Sequence, residues 1–185
     1  MIMETYKQLF IFLEGPDDER LFEKVCKPIL MLDYDFIKII KYAGLTQKIV
    51  VDLLKTLKTQ IHSDYIFVTD LDAKGDKSFC VTKRKSKLND KFNNIIDENK
   101  IVVVKEEIES WYLAGITQIN LEKFKIEPFS NTEQIDKETF ISIMPKKFKS
   151  KTDFLIETLK EFSLETGIEN NKSLKYFATK YKLIR

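Results

Sequence analysis

Short apolar runs closed by turn-forming or acidic residues alternate along this chain with stretches whose apolar positions recur every three or four residues. Leu9 to Leu13 is continuously apolar, which fits a strand buried on both faces, and it stops at Glu14-Gly15-Pro16. Pro16 and the acidic Asp17-Asp18-Glu19 suit a first helical turn, because proline lacks the donor that turn leaves unpaired and carboxylates favour the positive helix end. Leu21, Phe22, Val25, Ile29 and Leu30 then follow at helical spacing. The unit recurs. Phe36 to Tyr42 reads as a strand, Gly44 as a break, and Ile49, Val50, Leu53, Leu54 and Leu57 as the stripe of a second helix.

Tyr65 to Thr69 forms a third apolar, β-branched run and leads directly into Asp70-Leu71-Asp72. A polar loop containing Gly75 and a Lys-rich helical segment precede Ile101 to Val104, the clearest buried strand, and Glu106 to Leu113 reads as the next helix. Strands alternating with helices predict an α/β fold: a parallel sheet of about four strands, right-handed crossovers and helices on both faces. Residues 1–115 form the expected core. From Ile116 to Met144 the pattern is irregular and interrupted by Pro128 and Pro145, and two helices follow, over Thr152 to Phe162 and Ser173 to Tyr181, with Asn170 and Asn171 as caps for the second. Residues 116–185 are therefore expected to be a mostly helical extension packed on the core.

Composition narrows the chemistry. The chain has 185 residues, 43% of them hydrophobic, enough for one domain with a substantial core. No apolar stretch approaches the ~20 residues that span a bilayer, and the polar start resembles no signal peptide, so a cytoplasmic protein without a membrane partner is expected. Cys26 and Cys80 have no CxxC spacing, and His62 is the sole histidine, which argues against a zinc site or a Ser-His-Asp triad. Catalysis would have to run on carboxylates, lysines or a bound metal. The net charge of +2 is uninformative, but its distribution is not. Lys83, Arg84, Lys85 and Lys87 form one basic stretch; Lys146, Lys147, Lys149 and Lys151 form another. These read either as solvated faces or, flanking an acidic site, as a surface that holds nucleic-acid phosphates.

Ligands of open parallel sheets bind beyond the carboxyl ends of the strands. Glu14 follows the first strand, Asp70 and Asp72 the third, and Glu106, Glu107 and Glu109 the fourth, so the topology gathers them on one edge. Carboxylates brought together repel unless a cation neutralises them or some hold protons. Oxygen donors without histidine or thiolate select Mg²⁺ or Mn²⁺ over zinc. Asp70 and Asp72 can share one ion if the chain bends between them, and Glu14 either ligates a second ion or acts as a general acid/base.

The run F-L-E-G-P-D-D-E-R-L-F around Glu14-Gly15 resembles the first motif of the Toprim family, and F-V-T-D-L-D resembles its D-x-D motif. Glu107-Ile108-Glu109-Ser110-Trp111-Tyr112-Leu113 is similar to the E-I-E-x-W segment of small Toprim-like proteins of bacterial defence and mobile elements and of OLD-type nucleases, with a weaker likeness in Lys172-Ser173-Leu174-Lys175-Tyr176-Phe177. The resemblance implies a Toprim-like fold and metal-dependent cleavage of phosphodiester bonds in DNA or RNA, in phage defence or a mobile-element setting. It implies that Glu14 is acid/base or ligand, that Asp70 and Asp72 are ligands, that Glu107 and Glu109 serve a second ion, and that Lys146, Lys151 or Lys172 stands near the scissile phosphate. No topoisomerase-type tyrosine or primase zinc module can be placed, which favours a nuclease. The chain has no GxxxxGK[ST] run, so any ATPase would be a partner protein; restraint by a partner or a homo-oligomer is also expected.

Trp111 and Tyr112 read as core aromatics in preference to nucleobase platforms, and Lys74 and Asp76 as parts of a loop over the site. Two rivals stand beside the nuclease. One is a non-catalytic subunit that binds metal or nucleic acid. The other is a phosphoaspartyl enzyme, which would want an aspartate where the first strand ends in Glu14.

Overall fold

The computed structural model describes residues 6–73 and 80–184, so Lys74 and Asp76 lie outside the described residues. Its centre is a four-stranded, wholly parallel sheet of β1 (Gln8–Leu13), β2 (Phe36–Lys41), β3 (Ser63–Asp70) and β4 (Ile101–Val104), in the order β2-β1-β3-β4. The register sets Phe12 beside Phe67 and Asp70 beside Val104, so β1, β3 and β4 all end at one edge. From β1 the chain crosses to β2 on one side, and from β2 it returns to β3 on the other. The crevice between β1 and β3 is therefore the topological switch point of the sheet.

The helix after β1 begins as expected with α1 (Pro16–Leu21), widens into a π-helical turn over Phe22–Cys26 and closes as α2 (Lys27–Leu30). Pro28 has no N–H to bond back to residue 24, and the widened turn directly precedes it. Thr46 caps α3 (Gln47–Thr59), accepting from the Ile49 N–H, and α3 buries Val50, Val51, Leu54 and Leu57. In the Lys-rich α4 (Val81–Lys91) only Leu88 is buried. These two helices cover one face of the sheet, around Phe12, Phe67, Phe92 and Tyr42. The rings of Phe12 and Phe67 stack at 4.6 Å between centroids.

The other face carries α1, α2 and α5 (Glu109–Ala114) together with the helices of the C-terminal part: α6 (Gln118–Phe124), α7 (Lys137–Ile143), α8 (Lys151–Lys160), α9 (Leu164–Asn170) and α10 (Lys172–Lys180). Leu174, Phe177 and Ala178 of α10 share a core with Leu9, Ile11 and Val104 of the sheet. Three sequence expectations shift. Glu106 to Ile108 precedes α5 and is not α-helical, the irregular stretch after Ile116 contains α6 and α7, and α9 forms a further helix between the two expected at the C-terminal end. Asn171 is the cap of α10, accepting from the Leu174 N–H, whereas the Asn170 amide donates to the Ala114 carbonyl. No described helix is long and apolar enough to cross a membrane.

Candidate functional site

Glu14 leaves β1 at the switch point, and one of its oxygens, Oε1, is crowded with donors. Arg84 Nη2 donates to it at 2.8 Å, Tyr42 Oη at 3.0 Å, Thr69 Oγ1 at 2.5 Å and the Asp70 N–H at 3.2 Å. Asp70 closes β3 beside it, and the chain then bends: Leu71 N–H bonds the Val104 carbonyl and Asp72 N–H the Glu106 carbonyl. Asp72 (φ 50°) and Glu106 (φ 35°) both adopt left-handed backbone without being glycine, a strain that collects at functional loops. The Glu107 carboxylate accepts the Lys137 N–H at 2.6 Å.

Together Glu14, Asp70, Asp72, Glu106, Glu107, Asp136, Lys137 and Glu138 line a cleft of about 610 Å³. A smaller adjoining hollow of about 280 Å³ is bounded by Glu14, Asp17, Asp18, Asp70, Glu107 and Glu109. The carboxylates line these hollows without closing on a common point: among the described residues no group of three or more is set as a ready cation cage.

The sequence marks Asp18 only as a helix-start carboxylate. In the structure it turns inward and is 4% exposed. Its Oδ2 accepts the Gly15 N–H at 3.1 Å, while its buried Oδ1 has no partner among the described residues. Burial, reinforced by the Glu14 charge, pushes this carboxyl up to about 7. Asp70 Oδ1 is likewise buried and unpartnered, and burial, with Asp18, Glu14, Glu109 and Glu107 adding repulsion, raises Asp70 well above the usual carboxylate range. Glu107 is also raised, chiefly by burial. Two orphaned carboxylate oxygens beside a common cleft are the condition that a hard divalent cation relieves.

Lys151, at the start of α8, bridges Asp17 at 2.7 Å and Glu109 at 2.5 Å. Burial alone would lower the Lys151 ammonium; its two carboxylate partners outweigh that and raise it. Asp17 is held below the ordinary range, because its hydrogen bonds with Lys151 and Arg20 outweigh the effect of burial. The structure thus brings Lys151 into the acidic cluster. Lys146 and Lys172 are exposed, and among the described residues neither contacts it. Of the basic stretches, Lys83 and Lys87 are exposed on α4, Lys85 donates to the Glu98 carbonyl at 3.2 Å, and Lys147 lies over the Phe124 and Phe148 rings. Arg84 faces Glu14, not solvent.

Trp111 and Tyr112 are fully buried. Trp111 packs against Phe22 and Phe177 and donates from Nε1 to Ser173 Oγ at 2.8 Å, and Tyr112 Oη donates to the Asp17 carbonyl at 2.7 Å. Neither ring is available for nucleobase stacking. The two sequence segments 107–113 and 172–177 are therefore joined in space through Trp111 and Ser173.

No family model matches the chain, and no curated protein does. Among solved structures, it is similar to the C-terminal region of the Burkholderia pseudomallei OLD protein, with a TM-score of 0.43 and 16% identity over 94% of this chain and 89% of that one. Values of that size assign no family.

Proposed function

We propose that this chain is a divalent-metal-dependent phosphodiesterase that cleaves nucleic acid, DNA or RNA, with Mg²⁺ or Mn²⁺ as its ion. The observation that carries the reading is the pair of buried, unpartnered oxygens on Asp18 and Asp70, set at the switch point beside Glu14. Glu14, Asp18 and Asp70, which do not close on a common point among the described residues, would hold one ion by converging on it. Asp72 and Glu107, across the larger cleft, would serve a second. A bound ion supplies charge at the phosphoryl oxygens and acidifies a coordinated water.

The chain's own residues do the remainder. Lys151 keeps Glu109 and Asp17 compensated at the cleft wall, and Lys137 lines both hollows, so these two lysines would hold a phosphate there. Exposed Lys83 and Lys87 on α4 supply backbone contacts to the polyanion. The resemblance to Toprim nucleases of bacterial defence agrees with this assignment, and a role under the control of an ATPase or other partner follows from the same resemblance.

The test is cleavage of supercoiled plasmid, single-stranded DNA and structured RNA in Mg²⁺ or Mn²⁺. Wild type should cut at least one substrate, EDTA should stop it, and Glu14→Ala and Asp70→Asn should each lower the rate by ~10²-fold or more. Equal residual cutting in all three proteins would assign the activity to a contaminant. Metal binding without cutting would make the chain a binding subunit.

A further inference from the structure

The basic run that opens α4 does not act as one surface. Arg84 alone turns inward, its side chain 16% exposed, with Nη2 on Glu14 Oε1 at 2.8 Å and on Thr69 Oγ1 at 2.7 Å, and Nε on Thr69 Oγ1 at 3.1 Å. Thr69 and Tyr42, which donate to the same Glu14 oxygen, are buried at 0% and 3% exposure, so neither can turn to solvent. Oε1 is thereby filled by groups of the protein. Oε2 accepts no hydrogen bond among the described residues, and Glu14 lines both hollows of the acidic cleft.

We infer that Arg84, acting with Tyr42 and Thr69, is the positioning group for Glu14: it holds one carboxylate oxygen in the protein so that the other is presented to the divalent cation. The inference rests on the metal-dependent reading above. A ligand whose orientation is already fixed needs no ordering when the ion arrives, and loss of such outer partners lowers metal affinity or activity by ~10–100-fold. The guanidinium is well suited to this: its fork engages Glu14 and Thr69 at once, which a lysine ammonium does not reproduce with the same geometry. It also follows that phosphate contacts from α4 belong to its lysines, not to Arg84.

The experiment is calorimetric titration of Mn²⁺ into the full chain, wild type against Arg84→Lys and Tyr42→Phe, with cleavage rates measured over the same Mn²⁺ range. Both variants should bind Mn²⁺ roughly tenfold more weakly and recover most of the wild-type rate at saturating Mn²⁺. Tyr42→Phe keeps the ring in its aromatic packing, so its result stands if the Arg84 variant folds poorly. Wild-type Mn²⁺ affinity in both variants would overturn the positioning role. That holds also if Arg84→Lys then needs more nucleic acid to reach half its maximal rate, which would make Arg84 a substrate contact. Failure of the wild type itself to bind Mn²⁺ would remove the metal reading, and the inference with it.

Discussion

At the scale of single residues, Asp18 separates what the sequence shows from what only the fold shows. Glu14, Asp70 and Asp72 are legible because each ends an apolar run, and an alternating chain puts such ends on one edge. Asp18 sits in Asp17-Asp18-Glu19, where every carboxylate fits the start of a helix equally well. Asp17 pairs with Arg20 and Lys151 and Glu19 with Lys41, whereas Asp18, one position between them, is buried without a cationic partner among the described residues. Its four-residue spacing from Glu14, across a strand-to-helix turn, is the only signal that could have found it. Burial and the neighbouring Glu14 raise Asp18 from 3.8 to about 7. The folded metal-free protein therefore keeps a proton that the unfolded chain releases within that window, and stability is lost as pH rises through it. Asp18→Asn retains the acceptor for Gly15 and removes the charge. In EDTA the variant should be more stable than wild type at pH 8 by up to about 4 kcal/mol, and the gain should shrink toward pH 4. Urea unfolding at the two pH values measures this; a gain of equal size at both would show that the proton is not the cause.

At the scale of elements, strands were easier to read than the later helices. Runs such as Ile101–Val104 need only be apolar and β-branched to be recognised, and all four residues of that run are buried. By contrast α9, Leu164–Asn170, contains Gly167, which in a sequence reads as a break. The structure gives the glycine a packing reason: a Cβ at Gly167 would lie 2.8 Å from Leu174 Cδ2 and 3.6 Å from Gly115 Cα. Gly115 closes α5 on the opposing side, and a Cβ there would fall 2.2 Å from the Phe162 ring. Ser163 N–H bonds the Gly115 carbonyl at 2.9 Å, so the backbone cannot simply retreat. Two glycines thus let α5 approach α9, and α5 carries Glu109 and the buried Trp111. Gly115→Ala should therefore overpack this contact and lower stability by about 1–3 kcal/mol. Thermal unfolding should show it as a loss of some 2–4 °C per kcal/mol for a chain of this size. An unchanged melting temperature would mean that the Phe162 ring swings aside at no cost.

At the scale of the whole molecule, the site exists only because β1 and β3 are neighbours. Nothing local joins Glu14 to Asp70, which are 56 residues apart, and the hydrogen bond between Asp70 N–H and Glu14 Oε1 forms only when the central strands pair in register. Asp18 reaches the same hollow through α1, and Glu109 through α5, which follows β4. On the metal-dependent reading, an ion shared by these carboxylates would bind the folded state and have no comparable site in the unfolded chain, so its binding free energy would add to global stability. At a Mn²⁺ concentration one hundred times its dissociation constant the gain is about 2.7 kcal/mol, which for a chain of this length raises the melting temperature by roughly 5–10 °C. The rise should be reversed by EDTA and absent in Asp70→Asn, whose buried oxygen no longer carries charge. It should also be larger at pH 8 than at pH 5, since Asp18 and Asp70, both raised by burial, must release their protons before they bind the ion. Differential scanning calorimetry at the two pH values decides the matter. A Mn²⁺ shift that is equal in wild type and Asp70→Asn would place the ion elsewhere, and the paired ends of β1 and β3 would then be no more than a junction held by Arg84 through Glu14 and Thr69.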